Sequence, residues 1–214
     1  MILFDERGRQ FEATLVHTSR DRIEVSLKRQ KLILTESSLK LTIAQGYLKD
    51  RKMDGTVRQL TELGLSRWIP FMAERSVPTP DTKRLKARQK RWEKIVVEAV
   101  KQCRRGCIPE IDPVLTFDEM LACSENATIK TIFWENESKP VTRTRIPLLT
   151  ESNPEAFIII GPEGGLTQGE VDAAVAKGFM PAAMGPRIMK ADTAVLAACV
   201  IMQYLYGDLG VKKS

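Results

Sequence analysis

Two glycine-containing loops carry the residue types best suited to hold a ligand. The first, residues 160–165, has the sequence Ile-Gly-Pro-Glu-Gly-Gly and follows the apolar run 157–160. That run predicts a short buried strand. The capping-box sequence Thr167-Gln168-Gly169-Glu170 predicts that a helix starts directly after the loop. A loop in this setting can bring its backbone close to a ligand, because glycine has no Cβ.

The composition of the first loop narrows the class of ligand. It matches neither the Walker A sequence nor the dinucleotide fingerprint G-x-G-x-x-G. Glu163 places a negative charge where a phosphate loop would have none, which favours a cationic or neutral ligand. S-adenosylmethionine, with a sulfonium, an amino group and no phosphate, fits that description. The alternative is a tight β–α turn whose glycines serve chain geometry alone.

The second loop, residues 184–194, repeats this arrangement of strand, Gly-Pro turn and helix start. Asp192 or Thr193 is the predicted N-cap of the helix that follows. Backbone groups of the loop could bond an adenine edge, with Ile188 and Met189 as an apolar floor. The alternative is a capped crossover loop without a ligand. Residues 194–202 are apolar nearly all round, which predicts burial on every side, within the domain or between subunits.

A long basic helix is predicted over residues 83–103. Between Lys83 and Arg105, ten Lys and Arg side chains stand against two Glu, in a chain whose net charge is +6. The concentrated charge suits contact with nucleic-acid phosphates, and the alternative is a solvated helix face. The apolar stripe that should bury this helix consists of Leu85, Trp92, Ile95, Val96, Ala99, Val100 and Cys103.

The predicted secondary structure that must position these loops changes along the chain, from strands alone to alternating strands and helices. Residues 1–36 look all-β, with strands over 11–16 and 22–27 and too few apolar residues to close a core. Strands then alternate with helices, which predicts an α/β fold with a mostly parallel sheet. The predicted strands are 39–44, 68–73, 129–134, 157–160 and 182–184. The predicted helices are 54–63 with Asp54 as the N-cap, 83–103, 117–123, one from 167 and one that ends at 206 before Gly207; residues 135–155 are predicted to form a loop. Pro70 suggests that its strand is an edge strand or starts irregularly.

Composition excludes several other kinds of chemistry. The 214 residues include four cysteines without a C-x-x-C pair and a single histidine, His17, so no metal site is predicted. His17 lies in a predicted strand far from the other motifs, which counts against Cys-His and Ser-His catalysis. The start of the chain is not a signal peptide and no apolar run is long enough to span a membrane. We expect a cytoplasmic protein with reduced thiols.

Several motifs in the same order resemble one known family. The segments 160–165, 184–189 and 192–194 are similar to the signature of the bacterial ribosomal RNA small subunit methyltransferase E family. Upstream segments agree with this resemblance, which covers essentially the whole chain: Thr61-Glu62-Leu63-Gly64, Glu74-Arg75-Ser76, Arg91-Trp92, 98–102 and Pro109-Glu110-Ile111. Asp192, Lys190 and Cys107 depart from the usual Glu, Arg and basic residue of the family, and Cys107 is treated as an incidental thiol.

The resemblance implies a fold, a reaction and an assembly. It implies a SPOUT-class α/β domain over residues 37–214 with a C-terminal trefoil knot, preceded by a partial PUA-like β subdomain over residues 1–36. Family members usually begin several tens of residues earlier. It also implies a homodimer that binds S-adenosylmethionine and methylates N3 of a uridine in 16S rRNA or the small ribosomal subunit.

Roles can then be assigned to particular side chains. Arg75, Arg105 and Arg187 are expected to stabilise charge on the uracil oxygens, and Glu163 or Asp192 to accept the N3 proton. The expected cofactor-binding residues are Ile160, Gly161, Pro162, Glu163, Gly164, Gly165, Met184, Gly185, Ile188, Met189, Asp192, Thr193 and Ala194. The expected RNA-binding residues are Arg75, Lys90, Lys94, Gln102, Arg104 and Arg105.

Two alternatives stay open. One is a SPOUT enzyme that methylates ribose or a tRNA base. The other is an RNA-binding protein without catalysis, which would bind RNA in a salt-dependent manner whether or not S-adenosylmethionine is present.

Overall fold

The computed structural model describes residues 1–4, 9–31, 35–49, 51–77, 81–141 and 154–210. The first part forms an antiparallel sheet of three strands, β1 (Ile2–Phe4), β2 (Gln10–Thr18) and β3 (Ile23–Lys31), in that spatial order. β2 and β3 are each longer than predicted. Their apolar side chains Leu15, Ile23 and Leu27 are more than half exposed. This agrees with the expectation that the segment cannot close a core by itself.

The rest of the described chain is built on a seven-stranded sheet in which every ladder is parallel. The spatial order is β10-β8-β9-β4-β5-β6, and β7 also pairs with β5. The prediction of an α/β fold with a mostly parallel sheet is therefore confirmed. The strands are β4 (Lys40–Gly46), β5 (Arg67–Met72), β6 (Glu110–Ile111), β7 (Leu115–Thr116), β8 (Ile129–Phe133), β9 (Glu155–Ile160) and β10 (Met180–Ala182).

Helices cover both faces of this sheet. They are α1 (Lys52–Glu62), α2 (Thr82–Cys103), α3 (Phe117–Ala122), α4 (Gln168–Ala176) and α5 (Ala191–Tyr206). Alternate residues of β9 reach the two faces: Ile158 and Ile160 pack with α1, α2 and α5, and Phe157 and Ile159 pack with α3 and α4. Burial on both sides explains the continuous apolar run in this strand. No helix among the described residues is long and apolar enough to span a membrane.

Two predicted N-caps are wrong. α1 begins at Lys52 with Arg51 as its N-cap, so Asp54 lies inside the first turn. There its carboxylate accepts hydrogen bonds from Arg91 Nε at 2.7 Å and Trp92 Nε1 at 3.0 Å, which fix α2 against α1. α5 begins at Ala191, and Asp192 likewise lies in the first turn, where the helix dipole favours its negative charge. The capping box from Thr167 and the helix end at Gly207 are confirmed.

Pro70 does not mark an edge strand. β5 pairs with β4 on one side and with two short strands, β6 and β7, on the other. β6 pairs with Arg67 and Trp68 and β7 with Phe71 and Met72, so Pro70 falls where this outer ladder is interrupted. A residue without an N–H is tolerated there. Neither the predicted edge strand nor an irregular start is seen, because Arg67, the first residue of β5, pairs in register on both sides.

Most other predicted boundaries differ by a few residues at most. The last short strand is Met180–Ala182 rather than 182–184, with Ala183 bridged to Pro140. Most of the predicted loop over residues 135–155, namely 142–153, lies outside the described residues.

Candidate functional site

A cavity of about 480 Å³ opens at the carboxyl ends of β8, β9 and β10. Phe133 is in register with Ile160 on one side and Ala182 on the other, so the three strands end at the same level. Ligands of open α/β sheets bind outside these ends, and this volume is in the range of small-molecule sites. The cavity is lined by Phe133, Trp134, Glu135, Glu137, Ile160, Gly161, Pro162, Glu163, Gly164, Gly165, Ala182, Ala183, Met184, Gly185, Pro186, Arg187, Ile188, Met189, Lys190, Ala191 and Ala194.

The first loop needs glycine at Gly165. Its N–H donates to the carbonyl of Pro162 at 3.0 Å, which closes a tight turn. The φ angle of Gly165 is +70°, in the left-handed region, and a Cβ on it would collide with the carboxylate of Glu135. Any side chain here would be strained by its backbone and by its neighbour. Gly165 is therefore needed both for the backbone conformation of the turn and for the close approach of the loop to Glu135.

The helix after this loop also positions Arg75. Thr167 caps α4, and Glu170 Oε2 accepts from the Thr167 N–H at 2.9 Å. The other oxygen of Glu170, Oε1, accepts from the Glu74 N–H at 2.9 Å. This buried carboxylate thus joins the loop to the segment after β5. Arg75 Nη1 then lies 3.4 Å from the carbonyl oxygen of Gly164, so the structure brings Arg75 to the loop. Its role toward uracil or RNA stays a prediction.

Charged groups beside the first loop include several that the sequence did not single out. Lys52 Nζ lies 3.0 Å from Glu163 Oε1. Glu135 and Glu137 line the cavity from the end of β8. Glu137 accepts from the N–H groups of Ser138 and Lys139. Glu135 and Glu137 follow an apolar strand directly. This position could have predicted them as site residues, because polar residues at the carboxyl ends of parallel strands meet at one edge of the sheet.

The second loop contributes five of the seven predicted cofactor residues to the cavity: Met184, Gly185, Ile188, Met189 and Ala194. Gly185 has a φ of +106°, so this turn also depends on glycine. Ile188 lines the cavity and is 87% exposed, so its part in an apolar floor stays a prediction.

Asp192 and Thr193 are not among the lining residues. Asp192 Oδ1 accepts from the Thr193 N–H at 3.0 Å, a local contact within the first turn of α5. Arg187 lines the cavity and is exposed.

Arg105 does not belong to this site. Its side chain is 6% exposed and forms an ion pair with Glu36 at 2.7 Å. Nη1 donates to the carbonyl oxygens of Thr61 at 2.9 Å and Leu65 at 2.8 Å. With its donors committed inside the fold, this arginine cannot reach a uracil or an RNA phosphate in this conformation. The two roles expected for it, catalysis and RNA binding, are therefore replaced by a structural one.

The other expected RNA-binding residues are exposed but stand apart from the cavity lining. Lys90 and Lys94 lie on α2, and Gln102 and Arg104 lie at its carboxyl end.

Two of the four cysteines, Cys107 and Cys199, are poor candidates for nucleophiles. Desolvation, reinforced by Glu36, raises the pKa of the Cys107 thiol, and burial raises the pKa of Cys199 to about 12. Both shifts disfavour the reactive thiolate.

Comparison with known proteins shows which family the chain belongs to. A family model described as an RNA methyltransferase domain matches residues 35–203, which include both loops. Ribosomal RNA small subunit methyltransferase E from Bacillus subtilis (strain 168) is 30% identical over 207 residues, which cover 95% of this chain and 81% of that protein. The protein of the same name from Buchnera aphidicola subsp. Acyrthosiphon pisum is 29% identical, with 96% of this chain and 79% of that protein covered.

Solved structures give the same result. The Neisseria gonorrhoeae ribosomal RNA small subunit methyltransferase E bound to S-adenosyl methionine superposes with a TM-score of 0.85 at 30% identity, covering 98% of this chain and 84% of that one. A putative methyltransferase from Legionella pneumophila in complex with the same cofactor has a TM-score of 0.85 at 27% identity, covering 97% and 84%. The chain therefore belongs to the ribosomal RNA small subunit methyltransferase E family.

Proposed function

We propose that this chain transfers a methyl group from S-adenosylmethionine to N3 of a uridine in 16S rRNA. The observation that carries this proposal is the cavity at the carboxyl edge of the sheet, formed by two glycine-dependent loops in a member of this family. Two similar proteins have been crystallised with this cofactor. The chain would work in the cytoplasm as a SPOUT-class enzyme with a C-terminal trefoil knot in residues 37–214 and a partial PUA-like unit in residues 1–36.

The residues present fit this cofactor. Gly161, Gly164 and Gly165 let the backbone of the first loop approach a ligand, and Met184 and Met189 add apolar surface from the second. Glu135 lines the same cavity, and its carboxylate complements a positive charge. When bound, S-adenosylmethionine supplies a methyl group already activated by its sulfonium. The protein then mainly has to orient donor and acceptor.

Loss of the uridine N3 proton requires an acceptor and stabilisation of the developing charge. Glu163 lines the cavity and is the candidate acceptor, whereas Asp192 is not among the lining residues. Arg187 lines the cavity and is the candidate donor to the uracil oxygens, whereas Arg75 contacts Gly164 and is not among the lining residues. The target base must leave any stacked context first, at a cost of roughly a few kcal/mol.

The homodimer belongs to this proposal. α5 leaves an exposed apolar stripe that includes Val200 (41% exposed) and Tyr204 (63% exposed). The burial on every side predicted for residues 194–202 would therefore require a contact between subunits. The stripe begins next to the second loop, where Ile188 is also exposed. A second copy packed on α5 would cover both, and would place its own surface beside the cavity.

Val200→Arg tests the dimer. We expect it to shift the protein from dimer to monomer in analytical ultracentrifugation, because a charge would be buried in the contact. Val175→Arg is the matched control, since Val175 is 46% exposed on α4, away from the stripe. A dimer that survives Val200→Arg, or a wild-type monomer, would contradict this assembly.

The reaction itself is tested by labelled methyl transfer to small ribosomal subunits from cells that lack the endogenous activity. We expect 3-methyluridine in 16S rRNA, identified by mass spectrometry of the nucleosides. A methylated ribose, or methylation of tRNA only, would favour a different SPOUT reaction. RNA binding without transfer and without cofactor binding would favour the non-catalytic alternative.

A further inference from the structure

Lys52 lies beside the first loop but outside the cavity. Its ammonium contacts Glu163 at 3.0 Å, with 41% of the lysine side chain exposed. Arg75 contacts Gly164 in the same loop, and it too is exposed and absent from the cavity lining. Lys52 follows β4 and Arg75 follows β5, whereas the cavity adjoins β8 and β10 across β9. The loop thus separates the cavity from two cations on its other side.

The helices extend this positive surface. Asp54 near the start of α1 contacts Arg91 in the middle of α2, and Thr61 near the end of α1 contacts Arg105 just past the end of α2. The two helices therefore run in the same direction. Because α1 starts at the carboxyl edge of the sheet, the part of α2 before Arg91 projects about 10 Å beyond that start on the same edge.

Several cationic side chains therefore lie at the edge that carries the cavity, and we call this set the cationic track. We define the track by the exposed side chains of Lys52, Arg75, Lys83, Lys86, Lys90 and Arg91. Gln102 and Arg104 lie at the opposite end of α2, beside the amino edge of the sheet, where Glu110 of β6 pairs with the first residue of β5. The track is thus nearer to the cavity than those two residues, which were also expected to bind RNA.

We infer that Lys52 is an RNA-positioning residue, whose ammonium binds a backbone phosphate next to the target nucleotide. This inference rests on the proposed function, because it takes RNA as the substrate. The ammonium is a point charge on a flexible stem, and its side chain is 41% exposed, so a phosphate can approach it from solvent. Contact with phosphate fixes the register of the RNA without reading its sequence. Lys52 would thereby hold the RNA backbone on one side of the first loop while the target base enters the cavity on the other side.

The experiment compares Lys52→Gln with Lys40→Gln, a matched control at the amino end of β4. Lys40 also pairs with a glutamate, Glu155, at 2.7 Å, and is 65% exposed. Affinity for in vitro transcribed 16S rRNA is measured by filter binding at several salt concentrations. Affinity for S-adenosylmethionine is measured by calorimetry.

For Lys52→Gln we expect RNA affinity to fall by about 3- to 10-fold and the magnitude of the salt slope to fall by about one, with cofactor affinity unchanged. Lys40→Gln should change neither, and Lys52→Arg should restore the salt slope. A role that is only structural would not move that slope.

Two results would overturn the inference. One is unchanged RNA affinity and salt slope in Lys52→Gln; the other is a loss of cofactor affinity alone, which would mean that Lys52 acts through Glu163. A different result would contradict the proposed reaction but not the role of Lys52: the wild type binds RNA in a manner that depends on Lys52 but yields no 3-methyluridine.

Discussion

The two edges of the parallel sheet use charged side chains in opposite ways. At the amino edge, charges are paired within the fold: Arg67 forms two hydrogen bonds with Asp112, which raises the pKa of the arginine, and Arg105 is enclosed by Glu36 and two carbonyls. At the carboxyl edge, Arg187 and Glu135 face the cavity, and among the described residues neither has a hydrogen bond or an ion pair. The first set stabilises the structure, and the second is available to a ligand.

Arg105 and Arg187 show why this difference matters. Both were expected to stabilise charge on the uracil, and nothing in residue type separates them. Arg105 lies past the end of α2, near the amino edge, and Arg187 lies in the second loop at the carboxyl edge. An arginine with its donors already satisfied cannot also bind a substrate without a loss of stability.

Arg105→Ala, at the amino edge, should have the largest effect, and this effect should be on stability rather than on ligand binding. The variant leaves the partly buried carboxylate of Glu36 without its cationic partner and leaves two carbonyls without a donor, which should cost about 3 kcal/mol of the free energy of unfolding. Urea denaturation measures this change. Arg84→Ala removes an exposed pair on α2 and should stay within about 0.5 kcal/mol. If Arg105→Ala kept its stability but lost RNA affinity, the structural role would be wrong.

Gly165→Val should disrupt the cofactor site at the carboxyl edge without unfolding the sheet. The left-handed φ and the carboxylate of Glu135 both oppose a side chain, at a cost of about 1–3 kcal/mol. We therefore expect the affinity for S-adenosylmethionine, measured by calorimetry, to fall at least about tenfold.

Gly169→Ala is the control for this variant. Gly169 lies in α4, and a Cβ there would meet no atom within 4 Å. Unchanged cofactor affinity in Gly165→Val would count against the loop as a binding element.

A smaller effect is expected for Glu135→Gln, which removes one negative charge from the cavity. Affinity for S-adenosylmethionine should fall by about threefold, as expected for the loss of one partly solvated charge interaction. Affinity for S-adenosylhomocysteine should fall less if the carboxylate faces the sulfonium. Glu155→Gln, at the amino end of β9, should leave both affinities unchanged. If the two variants had the same affinity for S-adenosylmethionine, the proposal that charges at the carboxyl edge act on the ligand would be wrong.

Local patterns were enough to predict much of the framework. The apolar stripe from Leu85 to Cys103 predicted α2 to within one residue, and the capping box at Thr167 predicted the start of α4. The glycines of both loops line the cavity because each sits in a strand–turn–helix unit, whose geometry is set by neighbours in sequence. These features depend on short-range interactions and can therefore be read from the chain.

Partners that are distant in sequence could not be predicted. Arg105 is held by Glu36, 69 residues away, and Lys52 meets Glu163 across 111 residues. Asp54 looked like a cap, but its carboxylate is taken by Arg91 and Trp92 of another helix. Whether a charged side chain is enclosed or available depends on such contacts, because spacing along one element gives no information on what packs against it.

A crystal structure of the protein grown with S-adenosylmethionine tests the role of the carboxyl edge most directly. We expect the cofactor in the cavity, in contact with residues 160–165 and the second loop, and near Glu135. A cofactor bound elsewhere, with both glycine loops free of contact, would contradict the assignment of this edge as the site of methyl transfer.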